Sequence, residues 1–432
     1  MSGTGEGKGT SGSSVILNCF QTQELAIRLH GVFCLNRAWK LVAVAALAAG
    51  WSSCSGGGSG NGTQTKPLSG IQNRLFVSNQ QNGYVQLVDA TADKLAASSF
   101  AIFINGGPSF MDSTPDNKKI AVYDSVFTSI AIVSSDTEDR INKVPLDAAS
   151  DSMKISSDGN FVYAAVRNRV NASPAPPGAV QQVDVTNAVI KATFPVPNAR
   201  WVALNNAGKT LLAFSDTSNT PYLIDLTAAS PSAVPVPGPF SRPIAAYFTS
   251  DDSKAYILSC GPECSGTQAQ VTELTMSTLA TRVVAVPAAT VGALSGTTLY
   301  VAGAPGGVGG VVSVIDTGAM TVTTTKTIGN GFHGVMKLAA NKVWIGARSC
   351  GGGGCLSVFD PGSGSVVVDD PVPPATTKGD VTGMDFDTPK NLMYVCEGGE
   401  LFPYDTSGNQ VPTLVDIVGV AYDVRAVPPV TK

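Results

Sequence analysis

The sequence predicts an all-β protein, a β-propeller of about eight four-stranded blades. Three observations support this prediction: a short apolar segment recurs roughly every 42 to 49 residues, tight-turn sequences separate the copies, and the composition favours strands over helices. The 432 residues include 46 Gly and 27 Pro, and only 14% are charged. This charged fraction is well below the usual quarter of a globular chain, as expected for many short strands joined by turns.

The recurring segment is a run of strand-forming residues that occurs eight times. Most copies precede a second strand that ends in Asp, then a strand rich in Val, Thr and Lys, and then a strand of smaller residues. Each unit therefore contains four strands, the content of one propeller blade. The eight copies are NRLFVSN (73–79), KKIAVYD (118–124), NFVYAAV (160–166), KTLLAFS (209–215), KAYILSC (254–260), TTLYVAG (297–303), NKVWIGA (341–347) and KNLMYVC (390–396).

Short turns lead into most copies of the recurring segment, and they read PDNK, SDGN, NAGK, DDSK, AANK and TPKN. Gly, Asn and Asp tolerate the positive φ that tight hairpins often need. One four-stranded sheet cannot bury both of its faces, so the units are expected to stack around an axis. We place the propeller at residues 71–429. Seven blades are the alternative, if one degenerate copy belongs to a neighbouring blade.

The two ends of the propeller sequence predict how the ring closes. The chain enters at the second strand of blade 1, near Leu75, and it finishes with GVAYDVRAV (419–427). This last segment has the character of the first strand that blade 1 lacks. We expect the two segments to pair, because an open ring would leave unpaired strand edges at both ends.

Two stretches resemble the repeats of a known propeller family. The units GGVVSVIDTGAMTVTTTKTIGNGFHGVMKLAANK and NLMYV…LFPYD resemble YVTN-type repeats, and they are close in style to NHL and lactonase-like propellers. The resemblance covers roughly residues 73–427 and implies the propeller fold. Members of such families are often exported, and many have no assigned chemistry, so the resemblance implies no particular reaction.

The first 54 residues have a different character from the rest of the chain. Residues 1–14 are low in complexity, and we expect them to be disordered. Arg37 and Lys40 then precede the apolar run LVAVAALAAG (41–50). A basic segment, an apolar run of this length and small residues after it are typical of a signal peptide. The run is too short to cross a bilayer, which takes about twenty residues.

The end of this leader resembles a bacterial lipoprotein signal, in which Cys54 would be the acylated residue. Trp51 departs from that pattern, since a Leu-like residue is expected there. A Gly/Ser-rich tether (55–70) follows, which suits a lipid-anchored protein. We therefore expect export, with a lipid anchor in the bacterial membrane and the propeller in the periplasm or at the cell surface. The alternatives are a plain secretory signal and a cytosolic protein.

Two closely spaced cysteine pairs predict local disulfides. CGPEC and CGGGGC each lie between the second and third strands of a blade, in blades 5 and 7. A third blade separates the pairs, which disfavours a shared zinc site. Disulfides persist in the oxidising compartments that exported proteins reach, so we expect the bonds Cys260–Cys264 and Cys350–Cys355, with free thiols or metal binding as alternatives. Cys396 lies within a strand and is expected to be a small buried apolar residue.

The sequence lacks the common catalytic and cofactor-binding motifs. GxSxG, HExxH, Walker A and EF-hand spacings are missing. After the leader there is one histidine, His333, which excludes a multi-histidine metal site. We therefore expect no metal and no cofactor. The net charge of −4 and the lack of a basic tract argue against nucleic acid as a partner.

Six Asp residues recur at the ends of the third strands of the blades. Together they resemble a functional carboxylate array. Their recurrence favours a structural role instead, in which each carboxylate accepts hydrogen bonds from N–H groups of the following turn. They are Asp89, Asp184, Asp225, Asp316, Asp360 and Asp405.

One rim of the propeller is predicted to be the binding surface. The loops from the second to the third strands and the crossovers between blades share this rim, and they are the longer and less regular loops. Irregular loops on a rigid scaffold commonly carry binding residues. The candidate contact residues near this rim and the mouth of the central channel are Arg200, Arg242, His333, Arg348 and Glu397. His333 has a second interpretation, as a structural position of the repeat.

Two classes of function remain. The leading hypothesis is a monomeric, non-enzymatic scaffold that presents this rim to a protein or an envelope polymer. The alternative is a lactonase-like hydrolase with a site at the channel mouth, for which Asp112, Asp124 and Asp380 are candidate carboxylates. Two or more carboxylates within reach of His333 at one mouth would favour the hydrolase.

Overall fold

The computed structural model describes residues 66–167, 178–307, 309–351, 355–368 and 378–429. The predictions for the leader (1–54), for acylation of Cys54 and for residues 55–65 of the tether lie outside the described residues. No helix within the described ranges is long and apolar enough to cross a membrane.

The described residues form eight antiparallel sheets arranged as a β-propeller, so the predicted fold class and blade number are confirmed. Blade 1 contains β1 (Arg74–Asn79), β2 (Tyr84–Asp89) and β3 (Lys94–Leu95), and the short strand β4 (Ile102–Phe103) also pairs with β2. Blade 2 contains β5 (Pro108–Ser113), β6 (Lys119–Asp124), β7 (Ser129–Ser134) and β8 (Asp139–Pro145). Blade 3 contains β9 (Ser150–Ile155), β10 (Phe161–Val166), β11 (Ala179–Asp184) and β12 (Val189–Pro195).

The next three blades follow the same four-strand plan. Blade 4 contains β13 (Ala199–Leu204), β14 (Thr210–Ser215), β15 (Tyr222–Asp225) and β16 (Ala233–Pro235). Blade 5 contains β17 (Pro243–Phe248), β18 (Lys254–Ser259), β19 (Gln270–Thr275) and β20 (Thr281–Ala285). Blade 6 contains β21 (Val291–Ser295), β22 (Thr298–Gly303), β23 (Gly310–Asp316) and β24 (Thr321–Ile328).

The last two blades lead back to the start of the ring. Blade 7 contains β25 (Phe332–Ala339), β26 (Lys342–Arg348), β27 (Leu356–Asp360) and β28 (Ser365–Val368). Blade 8 contains β29 (Val381–Asp387), β30 (Leu392–Glu397) and β31 (Glu400–Tyr404), and isolated bridges occupy the place of its fourth strand. Within the described ranges, three short 3-10 helices lie in loops, at Ser98–Phe100, Gly261–Cys264 and Pro305–Gly307.

The final strand, β32 (Ala421–Val427), closes the ring as predicted. It pairs antiparallel with β1, with Arg74 opposite Val427 and Val77 opposite Val424. β32 therefore supplies the innermost strand of blade 1, although it comes from the other end of the chain. No blade edge is left open at the junction between the two ends.

The hydrophobic core consists of layers between neighbouring blades. In one layer, Tyr123, Ile130 and Ile132 of blade 2 belong to the same buried cluster as Met153 and Val162 of blade 3. Each middle strand packs against a neighbour on both faces, which explains why β7 is buried along its whole length. Burying one such aliphatic side chain contributes about 1.5–3 kcal/mol.

The recurring Asp residues stabilise turns, as predicted. The Asp184 Oδ1 atom accepts hydrogen bonds from the backbone N–H groups of Thr186 and Asn187, at 3.0 and 2.9 Å. Hydrogen bonds from Asn187 lower the pKa of Asp184, so its carboxylate stays ionised. Equivalent turn contacts are made by Asp89, Asp225, Asp316, Asp360 and Asp405.

Both predicted disulfides are present. The Cα atoms are 5.7 Å apart in Cys260–Cys264 and 5.5 Å apart in Cys350–Cys355. Closing loops this short removes roughly 2 kcal/mol of unfolded-chain disorder in the chain-entropy model. Cys396 is the free cysteine of the described residues, and it is buried in the core as expected.

Candidate ligand-binding site in the central channel

Two adjoining cavities lie among the innermost strands of the blades. One, called here the charged cavity, has a volume of about 440 Å³. The other, called the aromatic cavity, has a volume of about 600 Å³. Both are within the usual range for small-molecule sites, about 300–1,000 Å³. The residues that line both cavities are Ser152, Lys154, Trp201, Phe332 and Gly334.

The charged cavity has more cations than carboxylates in its wall. Lys154 pairs with Asp112 at 3.2 Å, between blades 3 and 2. Lys337 pairs with Asp385 at 2.8 Å, between blades 7 and 8. These ion pairs connect the innermost strands of neighbouring blades. The cations of the wall are Lys154, Arg200, Lys337, Arg348 and Arg425, and the carboxylates are Asp112, Asp151 and Asp423.

An ion pair within the closing strand also contacts the backbone of blade 2. Arg425 Nη1 lies 2.7 Å from Asp423 Oδ1, and Arg425 also donates a hydrogen bond to the carbonyl of Met111. Asp423 Oδ2 accepts a hydrogen bond from the Met111 N–H at 2.8 Å. Burial raises the pKa of Asp423, although Arg425 opposes the shift. These groups already have partners, so they form a fixed part of the channel wall.

Arg200, at the start of β13, is close to two carboxylates. Its Nε atom donates to Asp151 Oδ2 at 3.1 Å, and its Nη1 atom lies 3.8 Å from Asp216 Oδ2. The guanidinium also lies over the ring of Trp201, 4.6 Å from the centroid. Asp151 is bound by Arg167 as well. Arg200 is therefore a positioned but largely neutralised cation.

Arg348 is the cation of the charged cavity that has no carboxylate partner among the described residues. It is half-buried at the end of β26, and its Nη2 atom donates to the Tyr422 hydroxyl at 3.1 Å. Its guanidinium carbon lies 5.4 Å from the centroid of the same ring. The tyrosine therefore orients the guanidinium without neutralising it. Such a group is suited to a carboxylate or phosphate, which it can bind with two parallel hydrogen bonds.

His333 does not line either cavity. Its neighbours Phe332 and Gly334 face the channel, whereas the His333 side chain is only 1% exposed. Its Nε2 atom lies 3.1 Å from the Gly329 carbonyl, and its Nδ1 atom has no hydrogen-bond partner among the described residues. Burial lowers the pKa of His333 to about 4, so the ring is neutral at pH 7.

The burial of His333 predicts a loss of stability in acid. Between pH 6.5 and about 4 the unfolded chain binds a proton that the folded protein does not, so stability falls as the pH falls through this window. At pH 4.5 we expect this to cost about 2 kcal/mol relative to pH 7. Urea unfolding at both pH values should show a smaller difference in His333→Asn than in the natural protein. An equal difference in stability between the two pH values in both proteins would contradict the buried, neutral state of His333.

Two other predicted contact residues also lie away from the cavities. Arg242 precedes β17 on the rim, where its Nη1 atom donates to the Asp216 carbonyl at 3.1 Å. Glu397 is 1% exposed within blade 8, and its Oε2 atom accepts a hydrogen bond from the Tyr404 hydroxyl at 2.8 Å. Of the five candidate contact residues, the structure brings Arg200 and Arg348 together in one cavity.

The carboxylates considered for a hydrolase do not gather around His333. Asp112 lines the charged cavity, whereas Asp124 accepts a hydrogen bond from the Gly107 N–H at 2.8 Å and pairs with Lys143 at 2.6 Å. Asp380 accepts a hydrogen bond from the Ser349 N–H. Within the described ranges, no group of three or more His, Cys, Asp or Glu residues is arranged to hold a metal ion.

Several channel residues were missed by sequence reasoning. Trp201, Phe332 and Tyr422 line the charged cavity, as do Lys154 and Lys337. The composition of the innermost strands could have revealed them. These strands consist mainly of small or aliphatic residues. Aromatic or basic residues within ARWVAL, SDSMKI and FHGVMKLA depart from that composition.

Comparisons with known proteins support the class of fold, a β-propeller, and identify no family. No family model matches the sequence, and no curated protein matches it either. Solved propeller structures are similar at 13–14% sequence identity, which shows the fold alone.

Three of these solved structures illustrate the similarity. Dihydro-heme d1 dehydrogenase NirN in complex with DHE gives a TM-score of 0.59 at 14% identity, covering 83% of this chain and 75% of that chain. The Dos1 propeller gives 0.55 at 14% identity, covering 73% and 85%. Hydrazine synthase of Kuenenia stuttgartiensis gives 0.53 at 13% identity, covering 70% and 97%.

Proposed function

We propose that this protein is an exported, lipid-anchored binding protein that holds an anionic group of its ligand in the channel of the propeller. The ligand is a component of the cell envelope, either a polymer or a smaller molecule. The observation that carries this proposal is Arg348, a half-buried cation that lines the charged cavity without a carboxylate partner among the described residues. Export and anchoring are supported by the basic and apolar leader that ends at Cys54.

The surroundings of Arg348 favour binding over a purely structural role. Ion pairs in this wall satisfy the charges of Lys154, Lys337 and Arg425 within the protein. A structural arginine in the same wall would be expected to have a similar partner, since a half-buried charge is stabilised by pairing. The ring of Tyr422 holds the guanidinium in place, which lowers the ordering cost when a ligand binds.

Removing the charge of Arg348 is expected to weaken anion binding at least tenfold. A hydrogen bond to a charged group contributes about 1.5–3 kcal/mol, which corresponds to this change or more. Calorimetric titration of the purified protein with acetate, inorganic phosphate and polygalacturonate would compare Arg348→Gln with the natural protein. Lys326→Gln is the control, because it removes one positive charge from the exposed outer strand β24.

The outcome of that titration decides the proposal. A selective loss in Arg348→Gln supports it. Equal losses in both variants would indicate a general charge effect, and unchanged affinity in Arg348→Gln would contradict it. Failure of every anion to bind the natural protein would also overturn it, as would rapid turnover of lactones or esters.

The lipid anchor is tested at Cys54. Acylation needs the thiol of this residue, so Cys54→Ala is expected to move the protein from the membrane fraction to the soluble fraction of bacterial cells. Fractionation with an antibody against the propeller, together with mass spectrometry of the mature N-terminus, measures this. Equal membrane association of both proteins would contradict the anchor.

A further inference from the structure

The aromatic cavity restricts the chemical nature of the ligand. We infer that the ligand is an anionic amphiphile, whose charged group binds Arg348 and whose apolar body passes Trp201 into the aromatic cavity. This inference rests on the proposed function and adds the chemical nature of the rest of the ligand.

The wall of the aromatic cavity is almost entirely uncharged. Lys154 is the charged residue that lines it, at the boundary with the charged cavity. Tyr247 adds a ring whose hydroxyl accepts a hydrogen bond from the Gly292 N–H at 2.8 Å. Burial raises the pKa of Tyr247 to about 12, so this residue stays neutral. The other large apolar side chains of the wall are Leu204, Ile244, Phe248, Leu294 and Phe332.

Charged and uncharged residues therefore line different sides of the channel. The charged residues of its wall come from blades 1, 2, 3 and 7 and from the start of blade 4. The part formed mainly by blades 4, 5 and 6 is uncharged, with large apolar side chains next to the polar Asn206 and Thr290. A ligand that satisfies both halves must carry its charge at one end. A fully charged ligand would leave the large apolar side chains of the aromatic cavity in contact with water, and an uncharged ligand would leave Arg348 without a partner.

Gly334 lies at the passage where the two cavities meet. A side chain at this position would meet nothing closer than Phe332 Cε1, at 3.9 Å from an added Cβ. The two cavities share this residue together with Trp201 and Phe332. A larger residue at Gly334 would therefore fit the fold while filling the passage. Trp201 lies at the same boundary, so its fluorescence reports occupancy of the passage.

The test is a series of straight-chain carboxylates, namely acetate, hexanoate and decanoate, titrated below their micellar concentrations. Affinity is measured by calorimetry and by the emission of Trp201, with Trp201→Phe as the spectroscopic control. We expect affinity to rise about fourfold for each methylene that enters the aromatic cavity. Gly334→Val should reduce the gain with chain length, whereas Arg348→Gln should weaken all three ligands by a similar factor.

The failures of the inference and of the proposed function are distinguishable. If acetate binds and longer chains bind no better, the inference is overturned and the proposed function stands. If Gly334→Val keeps the full gain with chain length, the apolar body lies elsewhere and the inference is also overturned. If no carboxylate binds, both are overturned.

Discussion

A chain that ends at residue 418 is expected to lose cooperative folding and to accumulate as insoluble protein. The truncation removes β32, the innermost strand of blade 1, which pairs with β1 from Arg74 to Asn79. Blade 1 then lacks its innermost strand, and the packing of that strand against blade 8 is lost as well. The exposed strand edge that remains is a template for association with other chains.

The size of this effect follows from how many blades the strand contacts. Asp423 binds the Met111 N–H of blade 2, and the Ala426 N–H donates to Asp385 Oδ2 of blade 8 at 2.8 Å. Val424 is fully buried in a cluster with Tyr394 of blade 8. The truncation therefore removes contacts with three blades at once and opens the ring where β1 and β32 pair.

Solubility, circular dichroism and thermal unfolding measure the consequence. The control is a chain that ends at residue 429, which keeps β32 and also the Pro428 carbonyl that Arg74 contacts. This control should unfold like the natural protein. A chain ending at 418 that unfolds cooperatively at the same temperature would show that closure contributes little.

The fold was predictable because its cause is repeated along the chain. Eight apolar segments, most of them preceded by turn residues, specify eight sheets that are too thin to be stable alone. The final segment could be assigned to blade 1 because it resembles an innermost strand and blade 1 lacks one. Local sequence thus determined the blades, and the requirement for a closed edge determined the ring.

The channel wall was predicted less well, because a shift of one residue decides which side chains face the axis. Register shifts occur near the start of the innermost strands, as between His333 and Val335 in β25 and between Ala199 and Trp201 in β13. Such bulges reverse the alternation of inward and outward side chains. His333 consequently lies in the interior while Phe332 faces the channel, and sequence alternation alone could not decide between them.

Neutralising Glu138 is expected to destabilise the protein by about 3 kcal/mol, because it leaves the buried Arg74 without its counter-charge. Both side chains are fully buried, and Arg74 Nη1 lies 2.7 Å from Glu138 Oε1. The same arginine donates to the carbonyls of Ser135, at 2.9 Å, and of Pro428. The pair therefore joins β1, a turn of blade 2 and the residue after the closing strand.

The end of the predicted tether takes part in the same network. The Ser69 N–H and hydroxyl donate to the two oxygens of Glu138, at 2.6 and 2.7 Å. The Lys66 ammonium donates to the carbonyls of Phe100 and Glu138, at 2.8 and 3.2 Å. Residues 66–70 are thus held against blades 1 and 2, and loss of the Glu138 charge weakens that attachment as well.

Urea unfolding of Glu138→Gln and of the control Lys342→Met tests this. The control breaks the partly exposed pair of Lys342 and Asp360, for which about 1 kcal/mol or less is expected. Similar losses of unfolding free energy in the two variants would show that the buried pair of Arg74 and Glu138 contributes no more to stability than a partly exposed pair. We expect the double variant Arg74→Met, Glu138→Leu to be more stable than either single variant. It leaves no unpaired charge in the interior, whereas each single variant leaves one.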